Sequence, residues 1–240
     1  YSDRRASKAV NNFEQNNPHR LIAVDDNCGA YVAHMGGNGD FFAQEKSVTI
    51  DKDQKVTIAL NGKELTSIDA IAGEVLDGTF MSISALRAFY KQTIQDAKDK
   101  CLIWSLHLKA TMMKISDPIM FGHGFEIFFE DVFAKYADTI AELCVNPNMG
   151  MSDLEKKIAR HAKQAEIKDA IQAVVDSDAP KIQMVDSDKG QTNINASNDV
   201  IIDASMPVVV REGGKQWDRT GAAGETVAVV PDSTYAMFHE

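Results

Sequence analysis

Between Cys101 and Leu108 the chain carries Leu102, Ile103, Trp104, Leu106 and Leu108. That run is too apolar to face water on both sides of a sheet, so it predicts a central strand covered on both faces. Helical and strand patterns alternate after residue 80, which argues for an α/β fold. Lys109 and Lys114 follow at the carboxyl end of the strand, where α/β sheets hold their ligands. Asp117-Pro118 then predicts a helix start, with Asp as N-cap and Pro at the first helical position.

The rest of the chain is arranged around that strand. Ser2 to about Gln15 predicts a short helix stopped by Asn16-Asn17-Pro18. Residues 20–66 are strand-rich: Ala30 to His34, Ser47 to Ile50 and Lys55 to Leu60 show β patterns, and Asn61-Gly62 signals a hairpin turn. The His34 to Asp40 stretch is glycine-rich and is expected to be a connector rather than a phosphate loop. Met81 to about Lys98 predicts a helix. So does Pro118 to about Leu143, whose apolar stripe includes Phe121, Phe125, Phe128, Val132 and Tyr136. Asn146 to Gly150 predicts a turn, and Ser152 is expected to cap a helix to about Val175. Ile182 to Val185, Val208 to Val210 and Thr226 to Val230 read as strands. The expected organisation is a helix and β-rich lobe over 1–76 and an α/β part over 77–240.

The 240 residues are 44% hydrophobic and 25% charged, an ordinary globular balance. Lys and Arg number 25 against 35 Asp and Glu, and the net charge of −10 argues against nucleic acid and anionic membranes as partners. No apolar run reaches the ~18 residues of a transmembrane helix. Cys28, Cys101 and Cys144 show neither CxxC nor zinc spacing, which predicts reduced, packed thiols in a cytoplasmic protein. The chain opens at Tyr1 without Met or signal peptide and is expected to be a segment of a longer polypeptide.

Four groups of residues could carry chemistry. Lys114 lies among Met112, Met113 and Ile115, and apolar surroundings lower a lysine pKa toward the range of a general acid or base. Spacing alone favours a surface lysine that carries its amine into water. Asp199 and Asp203 share one face whether helix or strand, and can converge on Mg²⁺ or Mn²⁺; a cap and a surface acid fit the same spacing. Arg4 and Arg5 offer planar forks for a carboxylate, but adjacent helical residues cannot both face one pocket. Asp186, Asp188 and Lys189 end a strand, where a supporting place in the same cleft competes with ordinary loop chemistry. His123 reads as a structural histidine.

Several motifs occur in one order: Tyr1-Ser-Asp-Arg-Arg5, the run from Ser105 to His123, Met184-Val-Asp-Ser-Asp-Lys-Gly190, Asp199-Val-Ile-Ile-Asp-Ala-Ser-Met-Pro207 and Val230-Pro-Asp-Ser233. Together they resemble the monomeric type of NADP-dependent isocitrate dehydrogenase, most weakly between Leu21 and Leu76. The resemblance implies part of a large domain of isopropylmalate/isocitrate dehydrogenase type, with a mixed sheet flanked by helices. It implies oxidative decarboxylation of isocitrate to 2-oxoglutarate with NADP and Mg²⁺ or Mn²⁺. This is a step of the tricarboxylic acid cycle and of control at the glyoxylate bypass, in a monomeric cytoplasmic enzyme. Residue by residue, Lys114 matches the catalytic lysine, Lys109 the first lysine of that motif, Arg4 an isocitrate-binding arginine and Asp203 a metal ligand, with Asp199 as its acidic companion. Most NADP contacts, the remaining metal carboxylates and the partner tyrosine belong to other parts of the same polypeptide. That tyrosine's role is not assigned to Tyr235, and the segment alone is expected to be inactive. Two other readings stay open: a non-catalytic relative that binds a small anion, and a decarboxylating dehydrogenase of another 2-hydroxy acid.

Overall fold

The computed structural model describes residues 8–18, 22, 25, 27–108, 115–176, 180–197 and 202–238; of residues 203 and 236–238 it describes the backbone alone. The elements before residue 80 are α1 (Lys8–Asn16), β1 (Tyr31–Ala33), α2 (Phe41–Gln44), β2 (Lys46–Thr49), β3 (Gln54–Leu60), β4 (Lys63–Ala70) and β5 (Val75–Gly78). β3 and β4 form an antiparallel hairpin about Asn61-Gly62, and β2 pairs with β5. Asn61 and Gly62 both hold positive φ, as a tight two-residue hairpin turn demands. β1 belongs elsewhere, since it runs parallel to the strand Ala223–Val229 and forms part of the main sheet.

After residue 80 come α3 (Ile83–Asp99), β6 (Ile103–Leu106), α4 (Ser116–Phe128), α5 (Glu130–Lys135), α6 (Ala137–Glu142), α7 (Gly150–Ile158) and α8 (Gln164–Asp176). They are followed by β7 (Lys181–Ile182), β8 (Met184–Asp186), β9 (Gln191–Thr192), α9 (Ile202–Arg211), β10 (Lys215–Trp217) and β11 (Ala223–Val229). The main sheet has the parallel order β1-β11-β6-β7, with β10 antiparallel to the first half of β11. It is therefore mixed. β6 lies inside it, buried on both faces as its composition requires.

The period of two sorts the two faces. Leu102, Trp104, Leu106 and Leu108 join Val227 and Val229 in the large core with the aromatics of α3 and α4. On the opposite side Ala228 and Val230 meet Ile202, Met206 and Val209 of α9. Ser105 and His107, also fully buried, alternate with the leucines of the first face and so point away from it.

Five local expectations are corrected. The helix from Pro118 toward Leu143 is interrupted at Phe129 (φ −109°, ψ 32°) and again at Tyr136 (φ −112°, ψ 24°). Both side chains are buried, and the bends turn successive aromatics into one core that a straight helix would carry past. The helix expected from Ser152 to Val175 is α7 plus α8. Ile158 and Ile167, nine residues apart, would fall on roughly opposite faces of one helix at 3.6 residues per turn, yet both are fully buried. Ser152 does not cap; its hydroxyl donates to the Met149 carbonyl at 3.3 Å. Asp117 lies inside the first turn of α4 rather than at its cap. Val208 to Val210 is helix, not strand: Ile202, Met206 and Val209 recur at helical spacing, and that buried stripe outweighs the β propensity of three valines.

All three cysteines are free, but Cys101 and Cys144 are exposed rather than packed. No helix among the described residues is long and apolar enough to cross a membrane.

Candidate functional site at the carboxyl ends of β6 and β11

A cavity of about 370 Å³ opens where β6 and β11 end. Leu108, just past β6, and Val230 to Asp232, just past β11, form part of its wall. Ile202, the first residue of α9, and Ser116 and Asp117 of the first turn of α4 form another part. The Ile202 amide donates to the Leu108 carbonyl at 3.3 Å, so α9 starts against the end of β6. Leu108 and Ser116, which precede and follow residues 109–115 in sequence, both line the cavity.

The described lining is acidic. Asp117 is almost fully buried and accepts from the Ser116 hydroxyl at 3.1 Å. Asp232 accepts from the Phe42 amide at 3.0 Å. Among the described lining residues there is no Lys, Arg or His. Tyr90 packs close to this site and donates to the Met120 carbonyl at 3.1 Å; burial first, and the Asp117 charge second, push its hydroxyl well above its ordinary range.

The turn after β11 is clamped from a distance in sequence. Asp40, with no exposed surface, accepts from the amides of Gly37 (3.0 Å), Ala43 (3.0 Å) and Ser233 (3.2 Å), and from the Ser233 hydroxyl. Burial opposes ionisation, but these hydrogen bonds together hold the carboxyl below its ordinary value. The glycine-rich connector is therefore a carboxylate clamp on the cavity wall.

Below the cavity lies a polar network inside the sheet. His107 Nε2 meets Ser105 Oγ at 2.6 Å, and His107 Nδ1 meets Ser205 Oγ of α9 at 2.6 Å. The Ser105 hydroxyl donates to Gln183, which donates to Gln216, which donates to the Lys215 carbonyl at 2.8 Å. Burial pushes the imidazole down to about 3, so His107 is neutral. A second cavity, about 340 Å³, lies between β1 and α3. There burial and Asp96 raise Tyr31 to about 12, beyond acid–base use near neutrality.

A family model described as monomeric isocitrate dehydrogenase matches residues 1–240. The chain belongs to the monomeric isocitrate dehydrogenase family. It is 44% identical over 243 residues to the protein named isocitrate dehydrogenase (NADP) 2 of Colwellia maris, covering 98% of this chain and 32% of that one. It is 42% identical over 247 residues to the isocitrate dehydrogenase (NADP) of Azotobacter vinelandii, covering 100% and 33%. The corresponding protein of Corynebacterium glutamicum is 40% identical over 245 residues, again covering 100% and 33%. The chain thus spans about a third of the length of the curated relatives it matches.

Within this isocitrate dehydrogenase family chain, Lys109, Lys114, Arg4 and Asp199 lie outside the described residues. Asp203 is the second residue of α9, next to Ile202 of the cavity wall. Asp186 and Lys189 pair with each other at 2.7 Å on the surface and do not line the cavity. His123 lies beside Arg87 (3.0 Å), which is itself paired with Glu126 at 2.6 Å, so it is structural. Sequence reasoning missed Asp40, Asp232 and the His107 network. Their partners are 193, 190 and 98 positions away, beyond any local pattern.

Proposed function

We propose that the intact protein catalyses the oxidative decarboxylation of isocitrate to 2-oxoglutarate, with NADP and a divalent cation, and that Lys114 handles a proton in that reaction. One observation carries the reading: Leu108, Ser116 and Ile202 all face a single cavity at the carboxyl ends of parallel strands. These residues border the segment holding Lys109 and Lys114 and begin the helix holding Asp203. The names of the relatives supply the substrate and cofactor.

The charge of the wall supports the assignment. Asp117, Asp232 and nearby hydroxyls are hard oxygen donors, which suit Mg²⁺ or Mn²⁺. They would repel a bare tricarboxylate. A cation held by Asp203, with Asp199 beside it, and positive charge from Lys109, Lys114 and Arg4 would reverse that repulsion. Among the described residues no group of three His, Cys, Asp or Glu forms a complete metal cluster. Completing the shell therefore falls to other residues, to water or to substrate. When bound, the cation supplies Lewis-acid stabilisation of negative charge next to the departing carboxylate. Lys114, beside apolar residues, would hold or release a proton at the substrate hydroxyl or at the carbon left by carbon dioxide. Arg4 would orient a substrate carboxylate through its planar fork. No residue here is assigned to NADP.

In the full-length protein, Lys114→Met should lower kcat by about 10²–10⁴-fold, with a smaller change in KM for isocitrate. The 240-residue chain alone should show no turnover with isocitrate, NADP⁺ and Mn²⁺. Near-wild-type kcat in the Lys114 variant would remove the proposal.

A further inference from the structure

The hydrogen bonds around His107 have a direction that can be worked out. The Ser105 hydroxyl has one proton, and it goes to Gln183. Ser105 Oγ must therefore accept from His107 Nε2, 2.6 Å away. The imidazole proton then sits on Nε2, which leaves Nδ1 an acceptor, and the Ser205 hydroxyl donates to it at 2.6 Å. The donors run one way, from α9 through β6 to Gln183, Gln216 and the Lys215 carbonyl in β10. Asn193 adds a longer bond to Ser105 at 3.4 Å and one to the Leu106 carbonyl at 3.3 Å. His107 and Ser105 are fully buried, so water does not compete for these bonds.

The helix that begins this chain of donors is tied to the end of β6 at its first residue, where the Ile202 amide donates to the Leu108 carbonyl at 3.3 Å. Its buried stripe of Ile202, Met206 and Val209 packs by apolar contact, which is non-directional, so the Ser205 bond to His107 adds a side-chain restraint against rotation about the helix axis. Pro207 has no amide hydrogen to bond the Asp203 carbonyl, so the first turn lacks one of its own restraints. At about 100° per residue, positions 203 and 205 fall on opposite flanks of the Ile202 stripe. A rotation that pulled Ser205 from His107 would swing position 203 by the same angle.

We propose that His107 is a positioning residue, which through Ser205 sets the rotation of the first turn of α9, the turn that carries position 203. This rests on the reading of Asp203 as a metal ligand given above. Neither His107 nor Ser205 touches the cation; each acts through the helix, as outer groups around metal ligands do.

The test uses the full-length protein, with Mn²⁺ as probe and calorimetry or water-proton relaxation as a readout separate from turnover. Asp203→Asn should abolish measurable Mn²⁺ binding. Ser205→Ala should weaken Mn²⁺ about 10–100-fold with little change in melting temperature, and Ser205→Thr, which keeps the donor, should recover most of that loss. At position 107, Asn can place an acceptor near the Nδ1 site, whereas Gln reaches the Nε2 site. His107→Asn should therefore keep more Mn²⁺ affinity than His107→Gln, an order that loss of packing does not produce. If Asp203→Asn abolishes binding while Ser205→Ala leaves Mn²⁺ affinity within about twofold, the positioning role is overturned and the metal reading survives. If Asp203→Asn itself leaves Mn²⁺ binding intact, both fall.

Discussion

At the scale of single residues, the structure spends its buried carboxylates on fastening. Asp218 is 5% exposed and accepts from Lys181 Nζ at 2.7 Å and from the Thr220 hydroxyl and amide at 2.6 and 2.8 Å. Burial works against its charge, yet Lys181 and Thr220 outweigh it and hold the carboxyl at about 2, against an ordinary 3.8. The sign follows. As pH falls the unfolded chain takes up this proton first, so the stabilisation is whole above about pH 4 and is lost as pH approaches 2. Because the Lys181 side chain is 63% exposed, its share is screened, and the total is on the order of 1–2 kcal/mol. Urea titrations at pH 7 and pH 3 should show a shallower decline for Asp218→Asn than for the parent. Parallel declines would refute the linkage. Neither this pair nor the Asp40 clamp was legible beforehand. An aspartate in a loop looks the same in sequence whether water or a partner 37 or 193 residues away satisfies it.

At the scale of elements, legibility followed the number of faces that had to be buried. β6 was readable because both its faces are covered, and its apolar composition says so without regard to partners. α9 was misread because three consecutive valines speak for a strand, while the decisive stripe depends on Ile202 and Met206 further back. The divisions at Phe129 and Tyr136 were invisible, since the stripe continues in register across a bend that only the facing core requires; the one at Ala159 shows only in the half-turn offset between Ile158 and Ile167. Helix ends offer a sharper case. α3 closes with bonds from the Leu102 amide to the Ala97 carbonyl (2.8 Å) and from Cys101 to Lys98 (3.2 Å). α6 closes likewise, from Val145 to Ile140 (3.1 Å) and from Cys144 to Ala141 (3.0 Å). Both are Schellman ends, and both place cysteine, at φ 56° and 50°, where glycine is the usual residue. Relief of the left-handed strain should exceed the added entropy of an unfolded glycine. Cys101→Gly and Cys144→Gly should each stabilise by about 0.5–1 kcal/mol in chemical denaturation. A loss of stability in both would show that the thiols contribute contacts that outweigh the strain.

For the whole molecule the question is how stability is distributed, because the two kinds of sheet are built so differently. β6 and the last four residues of β11 are at most about 1% exposed and carry helices on both faces. The β3–β4 hairpin has a bulge between Ile58 and Ala59, and it leaves Ile58, Leu60, Leu65 and Ile68 between 46% and 61% exposed. Two strands alone are marginal in water, since their hydrogen bonds gain little without a buried apolar face. Opening the hairpin costs those bonds but exposes little new apolar surface, whereas opening β6 exposes the core. Native-state hydrogen exchange on the 240-residue chain should therefore find β3–β4 amides exchanging at least about 100-fold faster than those of β6 and β11. The side chains on the open face are the kind another surface could cover, and the relatives are about three times longer than this chain. The same amides should slow in the full-length protein if that longer chain lies over them. Equal protection of β3–β4 and β6 in the short chain would mean that the hairpin is held by the core itself, and that its exposed isoleucines and leucines need no cover.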